Sequence, residues 1–298
     1  MKRYIVTAAA GFLGCNLVER LLQEDAFVYA VVRPDSPHNE RLARRERCAL
    51  IPADMAEYGQ LHERIGAPCD VFFHLGWQGG RYDFATQYGN IMDALGVLTS
   101  AARLGCRRFI ATGSQAEYGP QTALITEETC PHPTDAYGAA KLAACILTRQ
   151  RAADLGIAWI WGRVFSLYGK YELRSRMLPA LVDALRAGQN FTLSSSGAQN
   201  WDFLYAADGA EALLSLAARG RAGEIYNIAH GDYQPLRSFI EQVRQAIDPG
   251  VPVSYGQEAG LFSLQPSVEK IRRDTGWRPT TDFTEGLRRG YMEETGYE

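Results

Sequence analysis

The sequence of 298 residues lacks any apolar run near the ~18 residues that a membrane-spanning helix needs. Its net charge of −3 and pI of about 6.0 give no general positive field, which argues against a nucleic-acid partner. The densest basic run, at 41–47, is interrupted by a Leu, an Ala and a Glu, and we interpret it as the solvated face of a helix. Gly11 and Gly14 follow the charged N-terminus and no small-residue cleavage site appears, so we expect no signal peptide.

Paired cysteines are also missing. The six cysteines are scattered at 15, 48, 69, 106, 130 and 145, without a Cys-x-x-Cys pair or a Cys/His group at zinc-ligand spacing. We therefore expect reduced thiols in a cytoplasmic protein and no metal site.

The chain opens with a pattern typical of a nucleotide-binding turn. Residues 2–7 suit a buried strand and 16–22 have helical spacing, with Gly11 and Gly14 between them. Such a turn points the free N–H groups of a helix N-terminus at a pyrophosphate. The alternative is a simple turn in which both glycines serve helix packing. The position between a strand and a helix favours dinucleotide binding.

Residues after the next strands indicate which dinucleotide binds. Arg33 directly follows a strand at 27–32, where an acidic residue would hold the ribose hydroxyls of NAD. An arginine there accommodates the 2′-phosphate of NADP. One alternative is an acidic contact from Asp35, from which Pro34 turns the chain away, and the other is that Arg33 is a surface cation. Asp54 is a candidate partner for the adenine amino group, and Gly76 lets the backbone approach the cofactor. We interpret His74 as a hydrogen-bonded strand-end histidine and not as a catalyst.

Tyr137 and Lys141 stand four residues apart in an Ala- and Leu-rich segment, 136–150, that we expect to be helical. On a helix both side chains then lie on one face, one turn apart. The ammonium would lower the pKa of the phenol, so that Tyr137 exchanges a proton at neutral pH. Ser114 follows a strand at 107–112, at the edge where open α/β sheets bind ligands. Alone the pair is weak evidence, since a solvated lysine beside a half-buried tyrosine is common.

Strands alternate with helices in the first half of the chain. This order predicts an α/β fold with a doubly wound parallel sheet and right-handed crossovers. After Lys170 the pattern becomes irregular, with polar loops and short elements. We predict a cofactor-binding domain at 1–168 and a smaller mixed α/β substrate domain at 169–298, with 200–230 returning elements to the first domain.

Together these motifs resemble the extended short-chain dehydrogenase/reductase family, which includes nucleotide-sugar epimerases, dehydratases and ketoreductases. The matches follow the family's order over nearly the whole chain: TAAAGFLG from Thr7, Asp54, HLG at 74–76, TGSQAEYG at 112–119, YGAAK at 137–141, RVFSLYG at 163–169 and GAQNWDFLYAAD at 197–208. The resemblance implies a Rossmann fold, a catalytic triad of Ser114, Tyr137 and Lys141, and a nucleotide-sugar site built from the second half. It also implies a homodimer through a four-helix bundle that includes the helix at 83–104 and the Tyr137 helix.

The matched motifs place contacts residue by residue. Cofactor contacts are expected at Ala8, Gly11, Phe12, Leu13, Gly14, Arg33, Asp54, Met55, Leu75, Gly76, Tyr137, Lys141 and Phe165. Substrate contacts are expected at Gln115, Ser166, Arg174, Met177, Gln199 and Trp201.

Two departures from the family pattern concern the cofactor loop and the chemistry. Ala8 replaces the first glycine of the loop and puts a methyl group at the tight turn. Gln115 and Ala116 stand where the 4,6-dehydratases carry an Asp-Glu pair, so dehydration lacks an evident acid and base.

Two further departures concern the substrate. Trp201 replaces an arginine that grips the substrate diphosphate in many members, and Ser166 replaces a common asparagine. Arg174 and Arg176 are the candidate substitutes.

These residues support three hypotheses of function. The first is an NADPH-dependent reductase of a nucleotide-linked 4-keto-6-deoxysugar, favoured by Arg33 and the missing dehydratase carboxylates. The second is a nucleotide-sugar 4-epimerase with tightly bound NAD, which needs the same triad. The third is a catalytically silent NADP-binding regulator, against which the intact Ser-Tyr-Lys set argues.

Overall fold

The computed structural model describes residues 1–258 and 262–293. In the first half, strands and helices alternate as expected. They are β1 (Lys2–Thr7), α1 (Phe12–Leu22), β2 (Ala26–Val32), β3 (Cys48–Pro52), α2 (Leu61–Ile65), β4 (Val71–His74), α3 (Phe84–Arg103), β5 (Arg108–Ser114), α4 (Ala136–Leu155) and β6 (Ala158–Val164).

The second half consists of shorter elements. They are β7 (Ser166–Tyr168), α5 (Met177–Arg186), β8 (Phe191–Ser195), β9 (Asn200–Trp201), β10 (Phe203–Tyr205), α6 (Ala206–Arg219), β11 (Glu224–Ile228), β12 (Gln234–Pro235), α7 (Leu236–Ile247), β13 (Val253–Glu258), α8 (Glu269–Thr275) and α9 (Phe283–Leu287). Within the described ranges, no helix has the length and apolar character needed to cross a membrane.

Seven strands form one parallel sheet in the order β11-β6-β5-β4-β1-β2-β3. The central strands are apolar on both faces because helices cover both sides of a parallel sheet. Their pairing puts the carboxyl ends of β1, β4 and β5 side by side. The predicted α/β class and doubly wound Rossmann sheet are confirmed.

Two helical layers bury the sheet. On one face α1 packs against α6, and Leu17, Val18 and Leu213 are fully buried between helices and strands. On the other face α3 packs against α4 over a core that includes Trp159 and Trp161. This is the layered arrangement by which an α/β domain removes the apolar faces of its helices from water.

Most elements of the second half surround a separate hydrophobic cluster. Leu181, Phe239 and Phe283 are buried in it, and the three short strand pairs are β10-β7, β13-β8 and β12-β9. One strand of this half, β11, instead pairs in parallel with β6 at the edge of the main sheet. The division into two domains at residue 168 stays a prediction.

The basic run at 41–47 does not form the helix that we expected. A 3-10 helix ends at Leu42, and Arg44 and Arg47 then adopt left-handed backbone angles, with φ of 61° and 60°. Those angles are incompatible with a right-handed helix. The guanidinium of Arg47 donates hydrogen bonds to the carbonyl oxygens of Leu22 and Glu24 at the end of α1. The run therefore ties a loop to α1, and the interpretation as a solvated helix face was wrong.

The turn between β1 and α1 contains a strained alanine. Ala8 has φ of 51°, in the left-handed region that glycine occupies without cost. Its carbonyl oxygen lies so near Gly14 that a methyl group at Gly14 would come within 2.2 Å of it. Gly14 is therefore needed for the close packing of α1 on the turn, whereas Ala8 tolerates strain where a glycine would have none.

We predict that Ala8→Gly stabilises the protein by about 0.5–1 kcal/mol, because the left-handed strain exceeds the entropy that glycine adds to the unfolded chain. Chemical denaturation monitored by circular dichroism measures the change. Ala10→Gly is the matched control, since Ala10 is buried and is not among the residues with positive φ. Ala10→Gly should destabilise the protein. Equal effects of the two substitutions on the free energy of unfolding would show that Ala8 is not strained.

Candidate active site

An open groove lies at the carboxyl ends of the sheet strands. Among the residues predicted to contact the cofactor, six line this groove. They are Ala8, Gly11, Arg33, Asp54, Met55 and Gly76. Gly11 is the N-cap of α1, and no side chain caps that helix or places an acid in its first turn. The N–H groups of α1 are thus available to an anion in the groove, which fits a pyrophosphate.

The remaining predicted cofactor residues support the groove from behind or lie away from it. Gly14 allows α1 to pack on the turn, and Phe12 is the first residue of α1. The N–H of Leu75 donates to the hydroxyl of Thr7, while the Leu13 side chain packs in a hydrophobic cluster. Phe165 is buried in another cluster and is not among the groove-lining residues.

Gly76 is required by a contact within the protein. A methyl group there would come within 2.9 Å of the Tyr58 ring, which also lines the groove. The N–H of Gly76 donates to Thr7 Oγ1 over 3.0 Å. Tyr58 thus approaches the backbone on the side where we expected only the cofactor.

Polar residues that follow β2 surround Arg33. Ser36, His38 and Asn39 line the groove with it, and Asn39 donates a hydrogen bond to the carbonyl oxygen of Arg33. Sequence reasoning missed these three, and the only signal was the Pro34 turn that brings them back towards the strand end. Asp35, at φ of 54°, is not among the groove-lining residues, where Asp54 is the only carboxylate within the described part of the chain.

The three residues of the predicted triad are brought together by β5 and α4. Ser114 ends β5, and Tyr137 and Lys141 lie in the first turns of α4, whose N-cap Asp135 accepts from the N–H of Gly138 over 2.7 Å. The Ser114 side chain lies within reach of the Tyr137 hydroxyl. Lys141 is buried, and its Nζ donates to the carbonyl oxygen of Thr112 over 2.7 Å.

The expected lowering of the Tyr137 pKa was wrong for this state of the site. Burial raises the pKa of Tyr137, and this effect outweighs the Ser114 hydrogen bond and the charge of Arg81, which lower it. Burial also lowers the pKa of Lys141 to about 7, against the opposing charge of Glu117. A lysine that is itself easily deprotonated is a weaker source of positive potential than the spacing alone suggested.

Two residues that sequence reasoning missed contact the triad from the loop between β4 and α3. The Trp77 ring centroid lies 3.9 Å from Lys141 Nζ and meets the Tyr137 ring edge-on, while its Nε1 donates to Gln87. The Arg81 guanidinium carbon lies 5.2 Å from the centroid of the Tyr137 ring. Arg81 also pairs with Asp135 over 2.7 Å, which fixes it at the start of α4. No motif marked either residue.

A buried ion pair lies directly behind Ser114. One carboxylate oxygen of Glu117 accepts from Ser114 N over 2.9 Å and from Trp161 Nε1 over 3.0 Å. The other accepts from Arg163 Nε over 2.7 Å, and Glu117 and Arg163 are 0% and 2% exposed. A methyl group at Gly113 would come within 2.2 Å of the carboxylate, so the strand needs glycine there.

His74 is held as a structural histidine. Its Nδ1 shares a hydrogen bond with Thr7 Oγ1 over 3.1 Å, and its ring stacks on Phe109. Burial, followed by the charge of Lys141, lowers the pKa of His74 to about 3. It therefore remains neutral at physiological pH and supplies no proton, in line with our interpretation of it.

The predicted substrate residues are spread over the second half and the end of β5. Gln115 follows Ser114, Ser166 begins β7, and Met177 begins α5. Arg174 pairs with Asp183 over 2.6 Å, so a substrate anion would have to share it.

Gln199 and Trp201 lie together in the polar segment before β10. The Gln199 Nε2 donates to Ser195, and its buried Oε1 has no hydrogen-bond partner among the described residues. Trp201 lies 5.8 Å from Phe262, centroid to centroid, and also contacts Phe203. An aromatic surface thus stands where many family members carry a cation.

The sheet order, the glycine turn and the groove at the strand ends define a Rossmann fold of the nucleotide-binding type. The chain belongs to the NAD dependent epimerase/dehydratase family, whose model matches residues 4–229. The predicted extended short-chain dehydrogenase/reductase type of enzyme is thereby confirmed, and the family's description supports a nicotinamide dinucleotide as cofactor.

The individual relatives are distant, and several of them match nearly the whole chain. The dTDP-D-glucose 4,6-dehydratase of Mus musculus is 24% identical over 313 residues, covering 97% of this chain and 87% of its own. The structure of a UDP-glucuronic acid 4-epimerase from Bacillus cereus, with UDP-glucuronic acid and NAD, superposes with a TM-score of 0.85 at 21% identity, covering 97% and 98% of the two chains. For a dTDP-glucose 4,6-dehydratase from Bacillus anthracis with NAD, the TM-score is 0.86 at 20% identity, with 97% and 95% covered.

We predict that Lys141→Met stabilises the unliganded protein most at low pH. The folded-state pKa of about 7 lies below the unfolded value of 10.5, so a buried charge disfavours folding below pH 7. That cost fades as pH rises from 7 to 10.5, where the folded protein has already lost the proton. The melting temperature of Lys141→Met should exceed that of the wild type by a few degrees at pH 6, and the difference should shrink by pH 9. A difference independent of pH would contradict the shifted pKa.

Proposed function

We propose that this protein is an NADPH-dependent reductase of a nucleotide-linked 4-keto-6-deoxysugar. The observation that carries the proposal is the juxtaposition of Ser114, Tyr137 and Lys141 beside a groove lined by Arg33. A bound dinucleotide would supply hydride to the sugar carbonyl. The chain's own residues would manage the proton and hold both ligands.

Proton transfer is assigned to Tyr137. Its hydroxyl donates a proton to the carbonyl oxygen as that oxygen gains charge. The Ser114 hydroxyl accepts from the N–H of Ala116 over 3.2 Å, which leaves its own proton for the same oxygen. Lys141 holds the nicotinamide ribose and stabilises the phenolate that Tyr137 becomes; Trp77, which now covers the ammonium, lines the same groove.

Dehydration, the activity named for several relatives, is disfavoured by the side chains beside Ser114. Gln115 and Ala116 carry no carboxylate. The nearest one along the chain, Glu117, is buried in its ion pair with Arg163 and cannot turn to a substrate without leaving that guanidinium unpaired. Removal of water from the sugar therefore lacks its acid and base.

NADPH is proposed over NADH because of the groove around Arg33. A guanidinium can meet a 2′-phosphate through two charge-assisted hydrogen bonds. Ser36 and Asn39 lie beside it as further polar partners, and Asp35 is not among the lining residues. The cofactor contacts at Ala8, Gly11, Asp54, Met55 and Gly76 are part of the same proposal.

The substrate is proposed to lie between the triad and the second half of the chain. Gln115, Ser166, Arg174, Met177, Gln199 and Trp201 are the proposed contacts. The buried Oε1 of Gln199 supports this: it has no hydrogen-bond partner among the described residues, and such an acceptor is costly unless a ligand or water donates to it. We also propose a cytoplasmic location.

A homodimer completes the proposal. Phe84, Tyr88 and Met92 lie four residues apart along α3 and are 74%, 69% and 54% exposed. Ile146 and Leu147 add exposed apolar surface on the neighbouring α4. Such a stripe on two packed helices suits pairing with the same helices of a second copy.

The rival is a 4-epimerase with tightly held NAD, and it is favoured by the similarity of the fold to structures of UDP-sugar 4-epimerases. It needs the same triad and also lacks the dehydratase carboxylates. Its cofactor is neither consumed nor exchanged in a turnover. Net oxidation of the cofactor therefore separates the two activities.

We expect the wild-type protein to oxidise one NADPH for each nucleotide-4-ketosugar reduced, in a screen of several nucleotides and sugars followed at the nicotinamide absorbance band. Tyr137→Phe should lower kcat by about 10²–10⁴-fold and leave NADPH affinity nearly unchanged, since only the proton donor is lost. Interconversion of sugar epimers by protein purified with bound NAD would establish the epimerase instead. Cofactor binding without turnover of any sugar would favour the regulator.

Cofactor choice has its own test in Arg33→Ala. Charge-assisted hydrogen bonds contribute about 1.5–3 kcal/mol each, so the loss of one should weaken NADPH binding by at least about tenfold. NADH affinity should change little because NADH has no phosphate at that position. Titration calorimetry of both cofactors measures this, and Arg41→Ala, at the pyrophosphate turn, is the control that should weaken both. If Arg33→Ala weakened the binding of NADPH and NADH equally, Arg33 would be a surface cation without a role in cofactor choice.

A further inference from the structure

The buried pair of Glu117 and Arg163 has an environment that a purely structural ion pair does not need. Its carboxylate accepts from the backbone of Ser114, so it is bound directly to the residue that presents the triad hydroxyl. Its guanidinium lies 4.4 Å from the Tyr118 ring centroid, and the Tyr118 hydroxyl donates to Asn227 on β11. The pair thereby connects β5, β6 and β11 at the edge that carries the site.

We propose that Glu117 is a positioning residue of the reaction: it fixes the Ser114 backbone, and it is the anion that faces Lys141, whose Nζ is bonded to Thr112 two residues earlier on the same strand. The inference rests on the proposed function for the role of the triad. Glu117 touches neither groove nor substrate, so it acts through Ser114 and Lys141. Arg163 holds the carboxylate in place through its Nε.

The geometric part of the role follows from the hydrogen bonds. Ser114 and Glu117 form reciprocal hydrogen bonds around the 3-10 turn Gln115–Glu117. The Ser114 hydroxyl accepts from a backbone N–H of the turn, and the Glu117 carboxylate accepts from Ser114 N. Trp161 donates to the same carboxylate from β6, which removes its remaining freedom. The Ser114 backbone is therefore fixed from behind by an acceptor that cannot rotate away.

The electrostatic part follows from burial. Lys141 has no carboxylate within ion-pair distance in the described chain, and its polar contact is the Thr112 carbonyl. Glu117 is the charge that opposes the loss of its proton and raises its pKa. Burial in a medium of low dielectric strengthens such an interaction without direct contact.

Other titratable or charged groups also face the triad. They are His74 on β4, Tyr137 and Cys145 on α4, Arg163 on β6, and Arg81 with Asp135 beyond the Tyr137 ring. His74 and Cys145 are neutral near pH 7, since burial lowers the pKa of the imidazole and raises that of the thiol. Asp135 is paired with Arg81. Glu117 is thus the negative charge that favours the Lys141 ammonium.

The test uses Glu117→Gln and the double variant Glu117→Gln with Arg163→Gln. Glutamine keeps an oxygen for Ser114 N and removes the charge. The single variant leaves Arg163 buried and unpaired, so it should be destabilised; the double variant removes both charges and should recover stability. Glu211→Gln, which breaks an ion pair with Arg20 on the helices α1 and α6, is the matched control.

The Lys141 ionisation is read directly by NMR titration of ¹³Cε-labelled lysine, because the lysines of the chain are only Lys2, Lys141, Lys170 and Lys270. In the double variant the Lys141 signal should titrate at lower pH than in the wild type, by less than the loss of the Glu117 charge alone would cause, because the loss of the Arg163 cation offsets part of it. The alkaline limb of kcat/KM should move in the same direction by the same amount. The Glu211→Gln control should leave both unchanged.

An unchanged Lys141 titration in the folded double variant would overturn the inference, and so would a loss of activity equal at every pH. The titration needs no substrate. Absence of turnover in the wild type would therefore refute the proposed function while the NMR measurement still decides the electrostatic role of Glu117.

Discussion

The parallel pairing of β1, β4 and β5 is the constraint on which the rest of the structure depends. Because their register is fixed, Val6, Phe73 and Ile110 fall in one row, and Thr7, His74 and Ala111 follow them at the edge of the sheet. The Thr7 hydroxyl accepts from the N–H groups of Leu75 and Gly76 and bonds with His74. This edge then positions the glycine turn, the Trp77 loop and Ser114 without a contact from any ligand.

Much of this fold was predictable because it depends on the spacing of apolar residues along strands and helices and on the positions of the glycines. The strand 2–7, the turn with Gly14 and the pair Tyr137 and Lys141 needed only local rules, and each lies where the sequence placed it. The basic run at 41–47 failed because composition does not reveal backbone conformation: Arg44 and Arg47 adopt left-handed angles that few non-glycine residues visit.

The site was less predictable than the fold, for a reason that Lys141 illustrates. The four-residue spacing places Lys141 beside Tyr137. Whether the pKa of the phenol then rises or falls depends on burial, which the spacing does not reveal. Trp77 and Arg81 were missed because they come from a loop that lies far from Tyr137 and Lys141 in the chain and whose path is fixed by Gln87 and Asn90 on α3. Contacts that arise from tertiary packing leave no local pattern.

The pairing of Glu117 with Arg163 shows how a buried charge is accommodated in a sheet. Gly113 provides the space, Trp161 and Ser114 donate to the carboxylate, and the Tyr118 ring lies against the guanidinium. Each donor satisfies an atom that would otherwise be buried without a partner. Replacing any one of these residues would leave the Glu117 and Arg163 charges buried and remove one of the contacts that stabilise them.

Trp77 gives the groove an intrinsic optical signal. Its indole lies beside Lys141 and lines the groove, whereas Trp159 and Trp161 are stacked on each other inside the core. A reduced nicotinamide absorbs at the wavelengths at which indole emits, so occupancy of the groove would quench the emission of Trp77 far more than that of a tryptophan remote from it. Trp77 thereby makes each molecule its own fluorescence reporter of cofactor arrival, without a label.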